Sequence, residues 1–111
     1  MAAVRRGDVV AVALPGDFGK PRPALIVQSD LFNETHPTVT VLPLTSEIRS
    51  APQFRITVEP SPDNGLRLVS QVMVDKPMTF RRDKVRAPFG RLDDETMLRV
   101  GRALAVWIGI A

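Results

Sequence analysis

The chain has 111 residues, 44% of them apolar and 24% charged, a composition that predicts one globular domain spanning residues 1–111. No apolar run approaches the roughly 18 residues of a membrane helix, and the N-terminus lacks the apolar region of a signal peptide, so we expect a cytoplasmic protein without membrane association. The formal charge of +3 and the pI near 10.2 favour a polyanionic or acidic partner.

The chain has no cysteine and a single histidine. Disulfides and thiolate metal sites are therefore excluded, and so is a histidine-rich metal site within one chain. We expect chemistry that needs neither a metal nor another cofactor.

Short apolar or alternating segments bounded by Gly, Pro and Asn predict strands. In chain order they cover residues 8–14, 23–28, 38–44, 54–59, 66–75 and 78–80. The segment 54–59 alternates apolar and polar residues, so its polar side chains, Arg55 among them, are expected to face solvent. The segment 66–75 is expected to be the longest strand, and Gly65 before it suits a turn with positive φ.

The C-terminal segment predicts one helix. Asp93 is the expected N-cap, Leu92 is expected to pack against Met97, and Gly109 is the candidate stop. Trp107 is expected to pack in the core, because the apolar residues recur at helical spacing, at Met97, Val100, Leu104, Trp107 and Ile108. Short strands followed by one terminal helix predict a mainly β fold of the α+β class, a small antiparallel barrel covered by that helix.

Arg22 lies between two prolines at the start of an apolar strand. Pro21 fixes its own φ, and Pro23 restricts the residue before it to extended conformations, so the backbone at Arg22 has little freedom. A rigidly based guanidinium suits the stabilisation of a charged phosphorus transition state. An arginine that only forms a surface ion pair remains the alternative.

Two further segments place polar residues after strands. Thr45 and Ser46 follow the strand 38–44 and precede Glu47, where hydroxyls bind phosphate or simply make a turn. Asp75 and Lys76 end the segment 66–75, where an acid beside a lysine is either functional or a surface pair.

The segments RRGDVVAVALPGDFGKPRPALIVQS, VLPLTSE, VDKPMT and GRLDDETMLRVGRALAVWIG, in that order, resemble the MazF/PemK (Kid) family of toxin endoribonucleases. The resemblance covers almost the whole chain. It implies an SH3-like β-barrel with a C-terminal helix, a homodimer, and metal-independent cleavage of single-stranded mRNA. It also implies a cognate acidic antitoxin peptide or protein that blocks the site.

The resemblance implies roles for individual residues as well. Arg22 matches the catalytic arginine of the family, Thr45 its active-site threonine, and Asp75 an acidic position used in the PemK branch. The predicted RNA contacts come from a neighbouring hydroxyl and nearby cations, namely Ser46, Lys20, Lys76, Arg81 and Arg82. The last two belong to a basic segment, 80–91, that is either an RNA contact or a solvated surface.

The sequence departs from the PemK pattern at two places. Met73 stands where that branch has an arginine, and the loop before Arg22 has no histidine, with Lys20 or Asp17 as conceivable replacements. The general base is therefore left open among Asp75, Glu47 and His36.

A second function is weighed beside RNA cleavage. CcdB shares the fold and poisons DNA gyrase, and its terminal Trp-Gly-Ile resembles the VWIGIA terminus here. CcdB lacks the Arg-Pro and PLTS elements, so the ribonuclease is favoured. A catalytically silent nucleic-acid-binding barrel is the third possibility.

Overall fold

The computed structural model describes residues 3–111, so the first two residues of the predicted 1–111 domain lie outside it. The elements in chain order are β1 (Asp8–Ala13), β2 (Pro21–Ile26), α1 (Asp30–Asn33), β3 (Thr38–Thr45), β4 (Arg55–Val58), β5 (Ser70–Met73), β6 (Met78–Arg81), a 3₁₀ turn (Arg82–Lys84), β7 (Gly90–Arg91) and α2 (Asp94–Trp107). Neither helix within residues 3–111 is long and apolar enough to cross a membrane.

The seven strands form one curved antiparallel sheet in the order β4-β5-β3-β2-β1-β7, with β6 paired to the first half of β3. Within residues 3–111, β4, β6 and β7 each pair with one strand only, so the sheet is a half-barrel rather than a closed barrel. The predicted fold class, mainly antiparallel β with one C-terminal helix, is confirmed.

Both faces of the sheet are covered by apolar side chains, which alternate along each strand. On one face Val9, Leu25, Leu42 and Val72 pack with Val100 of α2. The residues between them face the other way, where the second cluster is formed by Val10, Val12, Ala24, Ile26, Val39, Val41 and Val85. Burial on both faces explains why the strand sequences read as nearly continuous apolar runs.

α2 begins and ends as the sequence predicts. Asp93 caps its N-terminus by accepting a hydrogen bond from the Thr96 backbone N–H at 2.7 Å, and Leu92 and Met97 lie in one cluster. Gly109 has φ +81°, and the bonds from Gly109 N to Val106 O and from Ile110 N to Ala105 O form a Schellman motif.

The prediction that Trp107 packs in the core is wrong. Met97 and Val100 are buried, but Trp107 is 50% exposed, and its ring contacts Phe54 in a tilted arrangement at a centroid distance of 5.6 Å. α2 packs against β4, a strand of four residues, so the last turn of α2 runs past the apolar surface that covers its first turns.

The strand predicted over 66–75 is also wrong in extent. Only Ser70–Met73 is strand, because Arg55–Val58 of β4 provides partners for those four residues, and within residues 3–111 no strand lies beside 66–69. Pro60 and Pro62 turn the chain away after β4. The Gly65 turn is confirmed, with φ +68°. The longest strand is β3, with eight residues.

Asp30 joins the N-terminal segment to α1, and its loss is expected to lower stability in a pH-dependent way. A hydrogen bond from the Arg6 backbone N–H, and then one from Asn33, hold the pKa of Asp30 below its ordinary value. Because the folded-state pKa is lowered, this stabilisation is present above about pH 4 and is lost as the pH falls through the lowered value.

The free energies of unfolding of Asp30→Ala and the wild type in urea should therefore differ at pH 7, and the difference should shrink as the pH falls below about 4. An equal difference at both pH values would contradict a contribution from the ionised carboxylate.

Candidate functional site

The candidate site lies where β2 and β3 part. Their hydrogen-bonded pairing ends at Ala24 opposite Pro43, beyond which β2 continues beside β1 while β3 continues beside β5. Pro23 and Pro43 lack the N–H groups that would extend the ladder, which explains the separation. Because β1 pairs with Pro21 and Arg22, β2 begins two residues before the predicted start.

Arg22 and Thr45 lie on the two sides of the point where β2 and β3 separate, which we call the fork. Each lies two residues beyond the last pair, Ala24 with Pro43, on its own strand. Side chains two residues apart on a strand share a face, and directly paired residues do too. The Arg22 and Thr45 side chains therefore project from the same face of the sheet, as neighbours across the gap.

Asp17 in the β1–β2 loop holds the Arg22 guanidinium. Arg22 Nε donates to Asp17 Oδ2 at 3.0 Å, and Nη2 donates to Oδ1 at 3.4 Å. The Arg22 side chain remains 45% exposed, so this bidentate contact orients the cation while leaving it accessible. The surface ion pair considered from the sequence is present, and it does not preclude a role in binding anions.

The segment after β3 brings further polar groups to the fork. The Thr45 hydroxyl accepts a hydrogen bond from the Glu47 backbone N–H at 3.1 Å, so the turn at 45–47 is closed by the threonine itself. Ser46 is exposed and lines the cleft beside Arg22. Glu47 pairs with Arg49 at 3.1 Å on the surface.

A cleft of about 370 Å³ opens at the fork. Its apolar wall includes Pro21, Pro23, Leu44, Leu66, Leu68 and Phe89. Arg22 and Arg67 provide cations, Ser46 and Ser70 provide hydroxyls, and within residues 3–111 no carboxylate lines it. Cations beside apolar and aromatic walls suit a ligand that carries both phosphates and flat bases.

A larger hollow of about 680 Å³ lies elsewhere, at the start of α2. Its charged lining is mainly acidic, with Glu59, Asp63, Asp93 and Asp94 against Arg91 alone. This hollow repels a polyanion, so the smaller cleft at the fork is the better candidate despite its size.

The predicted catalytic Asp75 is not among the residues that line the cleft at the fork. Thr45 pairs with Gln71, and Asp75 lies four residues further along, in the turn after β5, at most about 13 Å from Gln71. The Asp75 carboxylate is largely buried and approaches Lys76 Nζ at 3.6 Å, while its Oδ1 has no hydrogen-bond partner among residues 3–111.

The basic residues predicted to contact RNA are scattered. Lys20 is exposed in the same loop as Asp17. Lys76 lies next to Asp75 and forms an ion pair with it. Arg81 is exposed, pairs with Asp83 at 2.8 Å, and lies opposite Thr38, at the end of β3 that is about 23 Å from Thr45.

Arg82 corrects the sequence interpretation. It is buried, and its Nε and Nη2 donate to the His36 carbonyl at 3.1 and 3.0 Å. Its guanidinium thus fastens the loop before β3 rather than facing a ligand. His36, one of the three candidate bases, lies in that loop, two residues before the start of β3, whereas Thr45 is the last residue of that strand. Of the three candidates, Glu47 and Asp75 are therefore the nearer to Thr45.

Two residues of this region were not identified from the sequence. Gln71 and Arg55 are buried polar residues on the face of β4 and β5 that continues from Thr45. Arg55 was expected to face solvent, and this expectation is wrong, because the loop 46–54 folds over it and its Nη1 donates to Glu47 O at 3.1 Å. In the sequence Arg55 occupies a polar position of an alternating strand, and that pattern does not indicate that a loop covers the residue.

Residues 5–108 match the sequence model of the family described as PemK-like, MazF-like toxin of type II toxin-antitoxin system. The chain is 46% identical over 109 residues to the probable endoribonuclease MazF of Mycolicibacterium smegmatis, covering 97% of this chain and 99% of that protein. It is 26% identical over 111 residues to endoribonuclease EndoA of Bacillus subtilis, covering 96% of each.

Solved structures of other proteins have the same fold as this chain. A mycobacterial endoribonuclease in complex with its cognate antitoxin superposes with a TM-score of 0.81 at 27% identity, over 98% of each chain. A MazE–MazF complex from Deinococcus radiodurans superposes with a TM-score of 0.80 at 20% identity, which supports the fold alone. None of these relatives supports the gyrase-poison alternative.

Proposed function

This chain belongs to the PemK-like, MazF-like family of type II toxins, and we propose that it is an endoribonuclease that cleaves single-stranded RNA through the ribose 2′-OH. The relatives named as endoribonucleases support the activity. The observation that carries the proposal for this chain is the fork, where Arg22 and Thr45 project from the same face of the sheet. Arg22 also lines the cleft beside the fork, to which residues 3–111 contribute no carboxylate, whereas Thr45 is not among its lining residues.

The chemistry requires three things of the protein. The 2′-OH loses its proton and attacks phosphorus, the pentavalent phosphorane gains negative charge, and the leaving 5′ oxygen receives a proton. The Arg22 guanidinium matches the phosphorane oxygens and stays charged at any relevant pH. Asp17 orients that guanidinium before the substrate arrives, which reduces the reorganisation needed in the transition state.

Thr45 is proposed to hydrogen-bond the same phosphate from the opposite side of the fork. Its hydroxyl already accepts from Glu47 N, so its proton is free to donate to a phosphate oxygen. Glu47 follows Thr45 within two residues and Asp75 lies in the turn after β5, so these two are the proposed candidates for the general base. The assignment of Asp75 as a catalytic residue stays a prediction.

Incubation of purified protein with single-stranded RNA in EDTA tests the proposal. We expect fragments cut at a short recurring sequence. Intact RNA, together with gyrase-dependent DNA damage in cells that express the protein, would favour the CcdB-like function. Intact RNA without such damage would favour a silent nucleic-acid-binding member of the family.

The proposed regulator is a cognate antitoxin, because a free ribonuclease beside cytoplasmic mRNA would kill its host. The mycobacterial relative was solved with its antitoxin. A groove that presents cations and hydroxyls is blocked naturally by a flexible acidic segment that imitates phosphates, anchored by apolar residues on walls such as Leu66 and Phe89.

An acidic antitoxin peptide is therefore expected to displace RNA from the Arg22→Ala variant. Raising salt should weaken RNA binding by roughly 0.7 in log–log slope per phosphate contacted, and should weaken the apolar-anchored peptide less. Fluorescence anisotropy of labelled RNA measures both effects. Simultaneous binding of RNA and peptide at full affinity would place the inhibitor elsewhere.

A homodimer is the proposed assembly. Apolar side chains are exposed along α2 and the tail after it, at Leu98, Val106, Trp107, Ile108 and Ile110. Because these exposed apolar side chains all belong to α2 and the tail that follows it, they suit burial against a second copy of the chain. Sedimentation at micromolar concentration should give about twice 12.2 kDa, and a species of one chain mass would contradict a stable dimer.

A further inference from the structure

We propose that Gln71 and Arg55 are positioning residues for RNA cleavage, which fix the segment Thr45 to Arg49 and so hold the Thr45 hydroxyl opposite Arg22. The inference rests on the proposed ribonuclease activity. It extends that activity to two buried side chains on β4 and β5, neither of which lines the cleft at the fork.

Gln71 binds the segment after β3 with its whole side-chain amide. It is 3% exposed and is the strand partner of Thr45. Its Nε2 donates to Arg49 O at 2.9 Å and to Thr57 Oγ1 at 3.2 Å. Its Oε1 accepts from Arg49 N at 3.0 Å and from Arg55 Nη1 at 3.3 Å. Both donor and both acceptor positions of the amide are used, so its orientation is fixed.

Arg55 adds a second tie to the same segment. It is 8% exposed, and its Nη1 is shared between Gln71 Oε1 and the carbonyl oxygen of Glu47. Glu47 in turn donates its backbone N–H to Thr45 Oγ1. A continuous chain of hydrogen bonds thus runs from the buried arginine, through the backbone of Glu47, to the proposed active-site hydroxyl.

Arg55 is an expensive residue to bury for a structural purpose alone. Within residues 3–111 it makes no ion pair, and its Nε has no hydrogen-bond partner. A buried charge without a counter-charge costs several kcal/mol in general, and a packed apolar residue is often as stable. A buried cation near a phosphate-binding face also favours the substrate, which gives a functional reason for the cost.

The geometry explains how the effect reaches the reaction. Thr45 is the last residue of β3, and beyond the fork β2 no longer holds it in place. Its position depends on β5 and on the turn 45–47. Without the Gln71 and Arg55 contacts this turn keeps the hydrogen bond from Glu47 N to Thr45 Oγ1 and the exposed ion pair of Glu47 with Arg49, both of which lie within the segment itself. Misplacement of a reacting group by about 1 Å costs on the order of a hundredfold in rate.

A double-mutant cycle with Thr45 tests the proposal. Gln71→Met should lower kcat about tenfold and change KM less than about twofold, because it displaces Thr45 without removing an RNA contact. In a Thr45→Val background the same change should lower kcat less than about twofold, since the group it positions is already absent. All variants are assayed at least 15 °C below their own melting temperatures.

Arg55→Lys is a second substitution for the same cycle. Lysine keeps the buried charge but lacks the guanidinium Nη1 that donates to both Gln71 Oε1 and Glu47 O. This substitution should also lower kcat only when Thr45 is present. Arg99→Met, which removes one exposed charge from α2, is the matched control and should change neither parameter.

An equal loss of kcat in both backgrounds would overturn the inference, as would a rise in KM alone. A wild-type protein that cleaves no RNA would overturn the proposed function first, and the inference with it. A wild type that cleaves RNA, with additive cycles, overturns the inference only.

Discussion

Replacement of Arg22 by alanine is expected to lower RNA cleavage at least about a thousandfold while the fold stays intact. Loss of a single preorganised charge-stabilising donor costs roughly a hundred- to a thousandfold in other enzymes, and Arg22 provides a forked pair of donors. Its ion pair with Asp17 is half-exposed, and such pairs contribute about 1 kcal/mol or less to stability. Single-turnover cleavage of a labelled RNA measures the effect.

Arg22→Lys separates charge from geometry. Lysine retains the charge but lacks the planar fork, so it should restore only a small part of the rate. Circular dichroism and thermal unfolding should match the wild type for both variants. Full cleavage by a folded Arg22→Ala protein would remove Arg22 from the site.

Replacement of Gly90 by alanine is expected to destabilise the protein by about 3 kcal/mol or more. A Cβ atom at Gly90 would lie 2.0 Å from Asn64 O and 2.2 Å from Asn64 C. Asn64 cannot withdraw, because it is buried and its side chain binds Ser61 N, Glu59 O and Leu66 N. Denaturant unfolding measures the loss.

Gly101→Ala is the control for the Gly90 substitution. Its added Cβ would meet only the end of the Arg6 side chain, with Nη2 at 3.1 Å, rather than a backbone atom, and alanine favours the helix. A Gly90→Ala protein as stable as Gly101→Ala would show that the loop 61–65 shifts freely from β7.

Local patterns predicted most of the fold. β1, β3 and α2 were found within a residue or two, because their apolar runs and caps depend on neighbours in sequence. Prolines and hydroxyls at strand ends also drew attention to Arg22 and Thr45, but their catalytic roles were predicted from the resemblance to the MazF/PemK family.

The features that could not be predicted from the sequence depend on contacts between segments far apart in the chain. Whether residues 66–69 form a strand depends on β4 ending at Val58, and the position of Asp75 relative to Thr45 depends on the β3–β5 register. Arg82 and Arg55 resemble surface arginines in sequence, yet a loop carbonyl covers each of them in the fold.

The chemistry of the cut ends tests the central claim most directly. An RNA cut by the protein in EDTA is compared with the same RNA carrying one 2′-deoxyribose at the cleaved nucleotide, and the fragments are weighed by mass spectrometry. Attack by the 2′-OH predicts fragments ending in a 2′,3′-cyclic phosphate and a 5′-hydroxyl, and no cleavage of the deoxy substrate. Fragments with a 3′-hydroxyl and a 5′-phosphate, or cleavage of the deoxy substrate, would contradict the account.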